Sequence, residues 1–253
     1  MRVVVEKLTK RFGGVVALDD VSMEVPSSSK VGIIGPNGSG KTTLFNVITG
    51  YYTPEKGRVL IENGNELTDI TGWNPNEIAK LGVVRTFQIP RLIPSLTVLE
   101  NLLIFYNYNK CASIEYTLRK KWLECEKKAV SKATSILRDF GLLEISHKKP
   151  SELSAGHIKL VETLRGLMAD ARVFLLDEPF AGIESWMARR LIEAIKMINS
   201  EKKATFIVIE HRISELLEGV DYIYVLHNGK LLAEGKPSEV INDERVVKAY
   251  LGG

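Results

Sequence analysis

At 253 residues the chain is long enough to bury a full α/β core with a subdomain beside it, and its 34 basic and 31 acidic residues leave a net charge of only +3. A charge so small and dispersed gives no support for a nucleic-acid partner, and none is expected. The sequence contains neither a leader-like segment nor an apolar run of about 18 residues, so a protein that does not itself span a membrane, soluble and cytoplasmic, is expected.

Val3-Val4-Val5 and the stretch Val16 to Val25 carry the alternation and β-branched content of strands. Between them Phe12-Gly13-Gly14 interrupts the pattern. An aromatic at a strand end offers either a flat face on which a purine can stack or a cap for the core. Next, Lys30-Val31-Gly32-Ile33-Ile34 reads as a strand running into Gly35-Pro36-Asn37-Gly38-Ser39-Gly40-Lys41-Thr42-Thr43, which fits the phosphate-binding pattern G-x-x-x-x-G-K-[ST]. The glycines can take backbone angles closed to other residues, so successive amides can converge on one anion. Leu44, Phe45, Val47 and Ile48 continue at helical spacing, which sets the phosphates of a nucleoside triphosphate against the positive end of a helix. In this arrangement Lys41 reaches the β- and γ-phosphates and Thr42 a Mg²⁺ ion.

Gly57 to Glu62 followed by Asn63-Gly64 is a hairpin signal and suggests an antiparallel layer beside the main sheet. Leu81 to Gln88 is strand-like and stops before Pro90 and Pro94. Gln88, at that strand end, is either a solvated loop residue or a contact to Mg²⁺ or water. From Val98 to about Phe140 the apolar spacing turns helical, marking a helical subdomain whose Arg119-Lys120-Lys121 run is most simply a solvated face. Cys111 and Cys125 have neither a zinc spacing nor the pattern of a disulfide framework, so reduced thiols are expected.

Leu153-Ser154-Ala155-Gly156-His157 opens a helix through Leu167. The unbroken apolar run Val173 to Leu176 then reads as a buried parallel strand, with Asp177 and Glu178 at the carboxyl end, where α/β sheets bind ligands. Beside a phosphate loop the two acids acquire separate tasks, one holding hydrated Mg²⁺ and the other orienting or deprotonating the attacking water. A further strand, Ala204 to Ile209, brings His211 to the same edge. The chain closes with a hairpin around Asn228-Gly229 and a helix from Pro237 to Leu251.

The phosphate loop, the Gln88 loop, LSAGH, VFLLDEP and the histidine after the next strand stand in the order and approximate spacing of ATP-binding-cassette ATPases, which the whole chain resembles. Within that superfamily GVVRTFQ, TVLENLL, IVIEH and the ending LLAEGKPSEVINDERVVKAYLG look like the ATPase subunits of branched-chain amino-acid importers; urea and lipid transporters, or a non-transport cassette ATPase, are the alternatives. The resemblance implies a P-loop fold with a mostly parallel central sheet, an antiparallel β subdomain and an α-helical subdomain. Residues 1–88 and 160–253 would form the nucleotide-binding core, and about 89–159 the helical part.

The same resemblance implies ATP and Mg²⁺ as ligands. Phe12 would stack on adenine, and Gly35 to Thr43 would bind phosphates. Thr42, Gln88 and Asp177 would arrange the metal, Glu178 would be the catalytic base, and His211 would touch the γ-phosphate. Ser154, Ala155, Gly156 and His157 would reach the ATP of a second ATPase subunit, identical or related. Membrane permease subunits would be the working partners, fed by an external substrate-binding protein, with this chain held on the inner face of the membrane. The segment from Ile89 to about Lys110, with exposed-looking Tyr106 and Tyr108, would dock those permeases. Three residues depart from the family pattern: Ala155 and His157, where LSGGQ is usual, and Glu184, where a shorter Asp or Asn is more frequent.

Overall fold

The structure is a computed structural model that describes residues 1–64, 66–108 and 119–251, without the side chains of 119–121 and 251. Its strands are β1 (Arg2–Phe12), β2 (Val15–Val25), β3 (Lys30–Ile34), β4 (Lys56–Asn63), β5 (Glu66–Asp69), β6 (Val83–Arg85), β7 (Val173–Asp177), β8 (Thr205–Ile209), β9 (Tyr222–His227) and β10 (Lys230–Gly235). The helices are α1 (Lys41–Ile48), α2 (Pro75–Lys80), α3 (Val98–Leu103), α4 (Arg119–Asp139), α5 (Ala155–Met168), α6 (Ser185–Lys202), α7 (Ile213–Gly219), α8 (Pro237–Val240) and α9 (Glu244–Leu251).

One compact unit comprises Met1–Gln88, Arg172–Ala181 and Ala188–Gly253. Its antiparallel sheet has the order β2-β1-β4-β5, as the Asn63-Gly64 signal implied, and Gly13-Gly14 turns β1 directly into β2 with Phe12 opposite Val15. The second sheet has the order β10-β9-β3-β8-β7-β6. Strands β9, β3, β8, β7 and β6 are parallel, so the chain must cross over between them, and β7 and β8 are apolar and buried throughout, as strands covered on both faces are. Leu44, Phe45 and Ile48 of α1 share one apolar cluster with Leu8 and Leu18 of the first sheet and Ile33, Leu175 and Ile207 of the second. Because β3, β8 and β7 are neighbours in parallel register, with Ile33 and Asp177 both paired to Ile209, the residues that follow them emerge along one edge. That edge carries the phosphate loop, Glu178 and His211.

The second unit comprises Ile89–Ala171 and Gly182–Met187. Thr97 caps α3 through a capping box with Glu100. Along α4, Cys125, Ala129, Ala133 and Leu137 are buried at helical spacing. A polar knot sits inside this unit: Asn101, fully buried, donates to the carbonyls of Ile93, Leu96 and Thr97 and accepts from Ile93 N at 2.8 Å and Arg165 Nη2 at 2.7 Å. Arg165 Nη1 donates to Arg91 O at 2.7 Å, and Glu162 accepts from Arg91 N at 3.0 Å.

Several expectations are corrected. Helix α5 runs unbroken inside the second unit, so no boundary divides it at 159. The strand expected over Leu81 to Gln88 shrinks to β6, since Gly82 turns with φ 92°. The tail is two helices rather than one: Asp243 Oδ1 accepts from Arg245 N at 2.8 Å and starts α9 afresh. Tyr106 and Tyr108 are half-buried; their rings pack edge-on at 5.0 Å, and Tyr108 stacks on Trp122 at 5.6 Å. Cys125 is disulfide-bonded rather than a free thiol. Cys111, Lys110 and the side chains of Arg119-Lys120-Lys121 lie outside the described residues. No helix among the described residues is long and apolar enough to cross a membrane.

Candidate active site

Gly35, at φ 155°, leaves β3 under close constraint: a Cβ there would lie 2.1 Å from Leu226 O and 2.6 Å from Ser39 Oγ. Gly40, the N-cap of α1 at φ 105°, backs onto Ala17 O, 2.5 Å from where its Cβ would stand. Side chains are therefore shut out of the loop's seating, and its shape is fixed by β2 and β9. The loop is also pinned by Gly229 N, which donates to Ser39 O at 3.1 Å. Within α1 the first-turn amides have no intrahelical acceptor, and no acidic side chain stands in that turn. Lys41 is 6% exposed and folds back over the loop, donating to Gly35 O and Pro36 O, each at 2.8 Å, and to Ser39 Oγ at 3.3 Å. Burial pulls its pKa below the ordinary lysine value, and the charges of Glu178 and Asp177 oppose that shift. Thr42 and Asn37 are exposed and Thr43 half-buried.

At the carboxyl end of β7, Asp177 is buried, whereas Glu178 turns outward at φ 49°, a conformation rare for a residue with a side chain. Its amide is held by Ile209 O at 2.9 Å. Gln88 Nε2 donates to Glu178 Oε2 at 2.7 Å, and His211 Nε2 stands 3.0 Å from Glu178 Oε1. Two residues far apart in sequence thus converge on one carboxylate. Asp177 has a different partner, Arg85, whose Nη2 is 2.8 Å from its Oδ2.

Arg85 and Glu210 are what the sequence reading missed. Glu210, 1% exposed, accepts from Phe180 N at 2.6 Å, His211 N at 2.9 Å and Arg212 N at 3.1 Å, and so shapes the turn that presents His211. Only its place directly before His211 at a strand end hinted at this. Phe12 is 43% exposed at the end of β1, with Tyr52 edge-on at 5.1 Å and Lys10 Nζ 5.3 Å from its ring centre.

The second unit holds the other motif. Ser154 caps α5, its Oγ accepting from His157 N at 3.4 Å and standing 2.7 Å from His157 Nδ1. Ala155 is exposed. Gly156 is obligatory, because a Cβ would come 2.0 Å from Met187 Cγ. Glu184 accepts from Trp186 Nε1. Among the described residues no group of three or more His, Cys, Asp or Glu could hold a metal ion by itself.

A strand, phosphate loop and helix, with two acids at the end of a neighbouring parallel strand, define a P-loop nucleoside triphosphatase. The family model described as ABC transporter matches residues 18–181, and the one described as branched-chain amino acid ATP-binding cassette transporter matches residues 230–253. The chain is 41% identical over 98% of its length, and 96% of the relative's, to the probable branched-chain amino acid transport ATP-binding protein LivG of Methanocaldococcus jannaschii. To the protein of the same description from Archaeoglobus fulgidus it is 39% identical, over 98% of this chain and 94% of that one. Among solved structures, the ADP conformation of an ATP-binding cassette of an ABC transporter superposes with TM-score 0.85 at 39% identity over 100% of both chains. A dimeric cassette in a post-hydrolysis state bound to ADP and Pi superposes with TM-score 0.75 at 28% identity, over 93% of this chain and 98% of that one. The chain belongs to the ABC transporter family. It is a nucleotide-binding cassette, an ATPase subunit.

Proposed function

We propose that this chain energises the uptake of branched-chain amino acids, working as a pair of ATPase subunits on the inner face of a membrane against permease subunits, which an external binding protein supplies. The observation that carries the catalytic part is the convergence of Gln88 and His211 on the two oxygens of Glu178. The cargo is supported by the match of residues 230–253 and by the likeness to the two archaeal branched-chain amino acid transport ATP-binding proteins.

In this reading Phe12 stacks on adenine, while the amides of Gly35 to Thr43 and the Lys41 ammonium, released from the Gly35 and Pro36 carbonyls, bind phosphate oxygens. Thr42 and Asp177 would hold Mg²⁺, with Gln88 beside it. The ion, when bound, neutralises charge on the phosphates. The donor set fits such a metal, because Mg²⁺ in these sites takes few protein oxygens and draws its other ligands from phosphates and water, so no three-residue cage is needed. Glu178 orients and deprotonates the attacking water; Gln88 and His211 hold its carboxylate in place, and His211 also serves the γ-phosphate. One chain has one set of motifs, so Ser154, Ala155, Gly156 and His157 act on the ATP of the second subunit, in keeping with two-fold pairing.

The test is uptake of labelled leucine, isoleucine and valine by cells carrying this chain with its permeases, alongside phosphate release by the purified chain. Uptake abolished by Glu178→Gln supports the reading. Uptake of urea or lipid in place of the amino acids would overturn the cargo, and ATP hydrolysis unaffected by Glu178→Gln would overturn the mechanism.

A further inference from the structure

Arg85 lies outside every role given above, yet it is buried and held on several sides. Its Nη2 pairs with Asp177 Oδ2 at 2.8 Å, and both side chains are 6% exposed. Nη1 donates to Asn46 Oδ1 at 2.6 Å and lies 3.4 Å from Thr49 Oγ1, so the guanidinium also grips α1. The rings of Phe45 and Phe87 stand 5.5 and 5.2 Å from it. Its Nε is buried without a hydrogen-bond partner. A buried donor left unpaired costs free energy, so the fork is not placed to satisfy itself. It is placed to meet Asp177.

The charges make the purpose legible. Without Arg85 the end of β7 would present two adjacent carboxylates, Asp177 and Glu178, and paired carboxylates at a strand end attract a hard divalent cation. With Arg85 present, Lys41 and Arg85 balance Asp177 and Glu178. Asp177 Oδ1 is not engaged by Arg85 and stays available for a metal's water shell. We propose that Arg85 is a positioning residue for the metal site: it keeps Asp177 oriented and half-neutralised, so that a divalent cation is held only when nucleotide phosphates supply the remaining ligands. The consequence is an order of events. Metal and nucleotide arrive together, and free cation does not charge the site in advance. This inference rests on the reading of Asp177 as a metal-holding residue.

The test is titration of the full-length chain with Mn²⁺ followed by electron paramagnetic resonance, with and without ADP, which needs no turnover. The wild type is expected to hold Mn²⁺ with ADP and not without it, and Asp177→Asn to lose the ADP-dependent binding. Arg85→Gln, neutral and too short to reach Asn46 or Asp177, is expected to hold Mn²⁺ without nucleotide at least about tenfold more tightly than the wild type. Arg85→Lys, which keeps the charge, is expected to resemble the wild type. The proposal is overturned if the wild type binds Mn²⁺ equally well with and without ADP, a result that needs no variant to fold. It is also overturned if a folded Arg85→Gln, judged by circular dichroism, binds no more nucleotide-free Mn²⁺ than the wild type. Failure of the Asp177 reading shows separately, as Asp177→Asn retaining full ADP-dependent Mn²⁺ binding.

Discussion

The Gln88 amide donates to Glu178 at 2.7 Å, and Gln88 is the last residue of its unit before the chain enters the helical one at Ile89. The proposed base is therefore tethered to the residue at which the chain changes unit.

Glu178→Gln keeps the size of the side chain and its reach to Gln88 and His211 but removes the base. Phosphate release should fall roughly 10²- to 10⁴-fold. ATP should still bind, and with Mg²⁺ present a dimer too transient to isolate in the wild type should accumulate on size-exclusion chromatography. Asp177→Asn should weaken Mg²⁺-dependent binding and trap no dimer. Near wild-type turnover by Glu178→Gln would end the assignment; an inactive variant that stays monomeric with ATP bound would end the dimer model.

Phe12 presents an exposed ring steadied from the side by Tyr52. Phe12→Ala should weaken ATP binding by about 1 kcal/mol, the scale of one aromatic contact, with no comparable loss for inorganic triphosphate. Equal ATP affinity in variant and wild type would remove adenine stacking from the account.

Asn101→Ala should be among the most destabilising single changes in the second unit, by roughly 2–4 kcal/mol. It strips partners from the carbonyls of Ile93, Leu96 and Thr97 and from the buried guanidinium of Arg165 at one stroke. Urea unfolding checks this. A loss below about 1 kcal/mol would mean that water replaces the amide.

Tyr224 is 6% exposed, donates to Glu24 O at 2.8 Å, and burial pushes its pKa up to about 12. The native state therefore keeps the phenol proton where an unfolded chain, ionising near 10, has lost it. Stability is therefore unaffected by titration of this group below about pH 10 and falls as the pH rises toward 12, by roughly 2–3 kcal/mol in all. Tyr224→Phe should lower stability at pH 8 slightly yet flatten the alkaline decline. Identical slopes in the two proteins between pH 10 and 12 would refute it.

Much of this molecule could be read from the chain because its signals are local. The run from Lys30 to Thr43 contains its own strand, glycines and helix start, and Val173 to Glu178 is apolar up to the acids it delivers. What escaped depends on distant neighbours. Arg85 sits in a strand-like stretch with nothing to single it out; only the pairing of β6 with β7 brings it to Asp177. Glu210 reads as a strand terminus until three amides are found on its carboxylate. The tail reads as one helix because its apolar spacing continues past Asn242-Asp243, and a two-residue side-chain turn is a fine signal against that background.

The tie between Gly229 and Ser39 changes what the β9–β10 turn is. Hairpin tips are usually where a chain tolerates a graft, a tag or an extra residue. Here Asn228 and Gly229 adopt φ 49° and 76°, and Gly229 both donates to Ser39 O and accepts from Asp19 N at 2.8 Å. An epitope spliced between those residues would unlatch the phosphate loop rather than decorate the surface, so a label intended to leave nucleotide binding intact belongs elsewhere.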